Sequence, residues 1–121
     1  MSTKNGILAS CILGKNTGVI EATLYTVPLG THTIGTLKCI NNGTVSSMVQ
    51  VCHCPLDISA GETSPLSTII VPYVTILPDT IYIVNIIASS SEIAGESIRV
   101  SVGSATADDI SFILTGTNRL N

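Results

Sequence analysis

Leu24-Tyr25-Thr26-Val27-Pro28-Leu29-Gly30-Thr31 is a strand that stops abruptly. Leu, Tyr, Thr and Val suit a pleated, half-buried backbone. Pro28 then removes an amide donor and ends the pairing, and Gly30 supplies the freedom that a tight turn needs. Downstream, residues 33–41 read as a second strand that runs into Asn42-Gly43, the strongest short hairpin signal in the chain. That signal predicts that residues 45–54 return alongside residues 33–41 as a hairpin. Strand, Pro-x-Gly corner, strand, Asn-Gly turn, strand: this order places the chain in the all-β class.

Working outward, residues 19–27 form the first strand of the body. Residues 55–65 are a polar connector. Residues 66–76 form a strand crossed by Pro72, which belongs at a sheet edge or a bulge. Pro78-Asp79 turns the chain into a strand over 81–88, and 89–95 is a loop. Residues 97–102 alternate cleanly, with Ile98, Val100 and Val102 inward and Ser97, Arg99 and Ser101 outward. A turn over 103–108 leads to a closing strand, 110–114, with Ile110, Phe112 and Leu114 on one face, and 115–121 reads as a tail. Short strands with evenly spaced turns and no helical period predict an antiparallel β-sandwich, jelly-roll or Greek-key-like, of about seven or eight strands. The domain spans 17–121. Residues 1–16 form an N-terminal arm or a first edge strand, with Ile7, Leu8, Ile12 and Leu13 as four large apolar groups lacking clean alternation.

At 121 residues the chain is one domain, large enough for a core without metals or disulfides. It is 45% hydrophobic and only 11% charged, less than half the usual share of charge, with Ser and Thr in its place. Hydroxyl surface is easier to dehydrate than carboxylate surface, which suits a protein packed against neighbours. The net charge of −3 and five scattered basic residues, Lys4, Lys15, Lys38, Arg99 and Arg119, argue against a nucleic-acid partner. No apolar run approaches the ~20 residues that span a bilayer, and the N-terminus lacks a convincing secretory signal, so no membrane partner is expected.

Chemistry is sparse. Cys52-His53-Cys54, with Cys39 and Cys11 elsewhere, is the densest constellation. Within one strand, Cys52 and Cys54 point to one face and His53 to the other, so the three cannot close round one ion. Small buried thiols are the simpler reading. Asp108-Asp109 is best explained as turn and strand-start chemistry, and His32 as an exposed turn residue. No catalytic residue, metal site, cofactor or small-molecule substrate is expected, and the chain is not expected to be an enzyme. Which face of the strand carrying Cys39 is buried stays open: Ile34, Ile40, Val49 and Val51 compete with Leu37, Cys39, Met48 and Cys52. Two partly apolar faces would make one of them an oligomer interface.

The order of these elements resembles a pattern of tailed-bacteriophage structural proteins, in which "LYTVPxGT" precedes an "I-x-I-x-N" strand and a later "G-(D/E)-x-I-x-V" strand. Here the matching residues are Leu24 to Thr31, Leu37-x-Cys39-x-Asn41, Gly95-Glu96-Ser97-Ile98-Arg99-Val100, and a last strand from Ile110 ending in Thr115-Gly116. The resemblance implies a small β-sandwich virion protein, above all a capsid cement (decoration) protein on the outer surface of the head, with tail, baseplate or fibre modules as the alternative. Its implied partners are the major capsid protein and copies of itself, as a dimer or trimer. Its implied location is the capsid surface, after assembly in the host cytoplasm. The contact residues expected on this reading are Ile7, Leu8, Ile12 and Leu13.

Overall fold

The computed structural model describes residues 4–54, 68–90, 95–103 and 108–120. Among these, eight strands form: β1 (Lys4–Leu13), β2 (Glu21–Thr26), β3 (Thr31–Asn41), β4 (Ser47–Cys54), β5 (Thr68–Ile76), β6 (Thr80–Ser89), β7 (Ser97–Val102) and β8 (Ile110–Leu120). They make two antiparallel four-stranded sheets, in the orders β1-β8-β3-β6 and β2-β7-β4-β5. The first strand thus pairs with the last, the second with the seventh, the third with the sixth and the fourth with the fifth. A long hairpin wound on itself in this way is a jelly roll, which makes the expected all-β sandwich specific.

Alternation builds the core. Phe112, Ile110 and Leu114 of β8, Leu37 and Cys39 of β3, Val49 and Val51 of β4, and Ile98, Val100 and Val102 of β7 are buried between the sheets. Pro72 lies in β5, the edge strand of its sheet, beside register shifts at Val49/Val51 and Val51/Cys52, where a missing amide donor costs no ladder bond to a further strand.

Several local expectations are corrected. Asn42-Gly43 does not close a hairpin, because β3 and β4 lie in different sheets. The turn is an inter-sheet corner held from elsewhere: Asn41 Oδ1 accepts Gly43 N–H at 2.9 Å, and Asp108 Oδ2 accepts Thr44 N–H at 2.8 Å and Val45 N–H at 3.3 Å. The buried Asn41 side chain also donates from Nδ2 to Val45 O and Ile76 O. It thereby ties this corner to the end of β5. The Pro28-x-Gly30 corner likewise passes between sheets. Gly30 takes φ +75°, and Ser90 Oγ donates to Pro28 O at 2.7 Å.

Residues 115–120 are not a tail. They extend β8 between β1 and β3, and the small, polar Thr-Gly-Thr-Asn run reads as a tail only while its two neighbours are unknown. Gly116 pairs with Gly35, and a Cβ on either would run into the opposite strand's backbone, so the pair permits a close approach at mid-sheet. His32 lies within β3, paired with Ser89 and Arg119, rather than in an exposed turn. The expected connector at 55–65, the loop core at 91–94 and the turn at 104–107 fall outside the described residues.

Candidate interaction surface

A strand in a sandwich shows one face to the core and the other to its surroundings, and polar residues normally occupy the second. The outer face of the β1-β8-β3-β6 sheet breaks that rule. Reading across paired positions, its rows are Ile12–Ser111–Ile40–Ile81, then Ser10–Ile113–Lys38–Ile83, then Ile7–Thr115–Thr36–Asn85, then Thr117–Ile34–Ile87. Eight isoleucines stand in these rows among Ser, Thr, Asn and Lys38, and the next paired row along, Arg119–His32–Ser89, brings a second cation to the same face. Ile87 is 77% exposed, Ile7 64% and Ile83 59%, while Ile12, Ile34 and Ile81 are about half exposed. A shallow depression of about 510 Å³ sits over the glycine pair, lined by Ile34, Thr36, Asn85, Ile87 and Thr115.

Four strands ~4.8 Å apart, with up to eleven residues rising ~3.4 Å each, give a projected face of roughly 19 by 35 Å, on the order of 650 Å². Contiguous apolar patches beyond a few hundred Å² mark interaction sites on soluble proteins. Covering the six most exposed isoleucines would contribute on the order of 5–10 kcal/mol gross, before association and ordering costs.

The residues expected from the sequence to make the contact divide in two. Residues 4–13 form the edge strand β1 rather than a free arm, and a bulge between Ile7 and Ala9 shifts the register. Leu8 and Leu13 are buried in the core, so they anchor the strand and cannot meet a partner. Ile7 and Ile12 stand on the exposed face. The sequence reading missed Ile34, Ile40, Ile81, Ile83, Ile87 and Ile113 as members of one surface. Its signal was the twofold apolar pattern of β3 together with Ile81-x-Ile83 and Ile87, which becomes a patch only when β6 is known to lie beside β3.

Cys11, Cys39 and Cys52 are free thiols. Burial pushes the Cys39 thiol up to about 12, with the neighbouring Cys11 adding to it, and burial also raises Cys11 and Cys52. Raised thiols are poor nucleophiles at neutral pH. Cys52 and Cys54 line a small cavity of about 140 Å³ in the other sheet, together with the ion-paired Glu21 and Arg99. Among the described residues no three His, Cys, Asp or Glu side chains come together as a metal site.

Acidic side chains serve the corners. Asp109 accepts from Asn16 N at 3.0 Å and Asn16 Nδ2 at 2.6 Å, and Asp108 meets Lys15 at 3.5 Å. Thr44 N–H is the main cause holding the Asp108 carboxyl below its usual range, with Val45 N–H and Lys15 adding to it. Burial pushes Glu96 up, but hydrogen bonds from Ser89 and His53 outweigh it and hold the carboxyl low. Both groups have folded values below their unfolded ones. Their stabilisation is therefore present above about pH 4–5 and fades as pH falls through the folded values. Thermal unfolding between pH 6 and 3 is expected to show a falling midpoint, with a shallower fall in Glu96→Gln combined with Asp108→Asn. An unchanged acid slope in that variant contradicts the assignment.

No protein-family model matches the chain, and no curated protein sequence matches it. Among solved structures it is similar to a chain in the structure of infectious bursal disease virus Gx strain, with TM-score 0.53, 15% identity, and coverage of 97% of this chain and 31% of that one. It is also similar to a chain in the crystal structure of the T13 IBDV viral particle, with TM-score 0.55, 12% identity, and coverage of 97% and 30%. The chain thus spans about a third of the length of those chains, and at this identity the likeness is one of fold.

Proposed function

We propose that the protein is a structural component of a virus particle, a cement or decoration protein that works by covering surface and catalyses nothing. On this reading it binds the outside of a bacteriophage head and bridges major-capsid subunits. A ligand that binds only the assembled lattice shifts the equilibrium toward assembly and stabilises the shell. It is made in the host cytoplasm and ends on the capsid surface, in contact with shell subunits and with its own copies.

The observation that carries the reading is the outer face of the β1-β8-β3-β6 sheet, where eight isoleucines stand with two cations, Lys38 and Arg119, and no acid, on a chain only 11% charged. Such a face is a liability on a solitary soluble domain and an asset in an assembly. The jelly-roll likeness to chains of icosahedral particles and the sequence resemblance to tailed-phage virion proteins support the same class. The raised thiols of Cys11, Cys39 and Cys52 weigh against a thiol-dependent hydrolase.

Gold-labelled antibody against this protein, applied to purified virions and viewed by electron microscopy, tests the reading. Label over the head surface is expected. Label on the tail or fibres would replace cement by the tail, baseplate or fibre alternative, and absence of the protein from purified particles by mass spectrometry would end the virion reading.

A further inference from the structure

We propose that two copies of this chain pack together through the isoleucine face about a twofold axis running parallel to the strands, between β8 and β3. The inference rests on the reading of this face as an interface and is independent of the virion assignment. Size is the first argument. A projected face on the order of 650 Å², larger once its corrugation is counted, matches the roughly 800 Å² that each partner contributes to a standard stable interface.

Self-complementarity is the second argument. The stated axis lays β8 of one copy over β3 of the other, and β1 over β6, while each row stays over itself. Three isoleucines then meet small hydroxyl side chains, Ile40 over Ser111, Ile34 over Thr117 and Ile83 over Ser10, while Ile12 meets Ile81 at the two ends of one row. Facing layers that alternate large and small interdigitate. Ile7 lies in the same row as Asn85, so each copy's Ile7 drops toward the depression beside Asn85 in the other.

Charge is the third argument. Of the two cations on this face, Lys38 comes over Ile113 and is offset from its own copy, with a stem long enough to carry its ammonium to the rim, and Arg119 lies in the end row, beyond the isoleucines. Aligned sheets packed ~10 Å apart at a small angle are a common sandwich geometry, and isologous pairing needs no second kind of protein.

Sedimentation velocity of the full chain at 1–100 µM is the test. A dimer is expected, and Ile83→Glu or Ile87→Lys should weaken it by at least about 100-fold, because each buries a charge with no partner. Leu77→Glu, at an exposed corner off the face, should leave the dimer intact. Circular dichroism checks folding, and Ile87→Lys, at the most exposed site of the face, keeps the test alive should Ile83→Glu not fold.

Orientation is read separately by mixing Ile12→Cys with Ile81→Cys chains. These positions lie on opposite edge strands within one chain but face each other across the proposed axis, so the mixture should form a disulfide dimer that neither variant nor the unsubstituted chain forms alone. A monomer at 100 µM, or a dimer indifferent to both charge substitutions, overturns the interface. Absence of the mixed disulfide in an otherwise Ile83-sensitive dimer overturns the axis. A dimer absent from particles would leave this inference standing and end the virion reading, whereas a particle-bound chain that is monomeric in solution would do the reverse.

Discussion

A chain lacking residues 1–13 is expected not to fold. β1 covers one side of β8 from Lys4 against Asn118 to Leu13 against Ile110, so its removal strips the ladder from a strand whose Ile110, Phe112 and Leu114 are wholly buried. It also withdraws Leu8 and Leu13 from the core. Losing one buried leucine side chain costs about 2–5 kcal/mol, so two cost about 4–10, comparable with the ~5–15 kcal/mol that holds a domain together. Thermal unfolding followed by circular dichroism should show no cooperative transition for the truncated chain. A cooperative transition within a few degrees of the intact protein would mean that β1 is an appendage after all. Point variants separate the two roles of this strand: Leu13→Ala should lose about 2–5 kcal/mol, while Ile7→Ser and Ile12→Ser should each stay within about 0.5 kcal/mol in the monomer.

Asn41→Ala is expected to cost about 3 kcal/mol, through corner chemistry and not through hydrophobic area. Asn41 is fully buried and satisfies three backbone groups: Gly43 N–H, Val45 O and Ile76 O. Each group left without a partner costs about 1–3 kcal/mol where it is buried, discounted where water can reach it. The midpoint should fall by about 10 °C for a domain of this size. Asn41→Asp preserves the shape and the acceptor to Gly43 but points a carboxylate oxygen at two carbonyls, so it should be at least as damaging. If both variants melt with the parent protein, the corner is held by Asp108 and its contacts to Thr44 and Val45 and not by Asn41.

These two results bear on why part of the architecture was readable and part was not. β7 and the first half of β8 alternate strictly, and their inward sets, Ile98-Val100-Val102 and Ile110-Phe112-Leu114, are the buried ones. β1 and the second half of β8 defeated pattern reading for opposite reasons. In β1 a bulge between Ile7 and Ala9 breaks the period of two, so core residues Leu8 and Leu13 fall out of phase with each other. In β8 the run Thr115-Gly116-Thr117-Asn118 looks like solvent-facing tail, yet Asn118 is buried and accepts from Tyr25 Oη at 2.7 Å and Thr33 Oγ1 at 2.5 Å, a polar bridge from one sheet to the other.

The isoleucine face was legible only in fragments for a related reason. Ile34 and Ile40 were visible as an apolar face competing with Leu37 and Cys39, but nothing local tells which set points inward. The choice is made by what lies opposite: Leu37 and Cys39 join a core with Phe112 and Val84, leaving Ile34 beside Ile87 and Ile40 beside Ile81.

By itself the sequence determined the class, the approximate place of most strands and the scarcity of chemistry, because alternation, β-branching, prolines and charge content act over a few residues. The tertiary structure alone decided that Asn42-Gly43 turns the chain into the other sheet, that β1 and β8 close the roll, and that eight isoleucines share one outer face. Each of those outcomes depends on contacts between residues far apart in the chain. A turn motif encodes a reversal of direction, and the sheet that the next strand joins is settled by where its apolar side chains find cover.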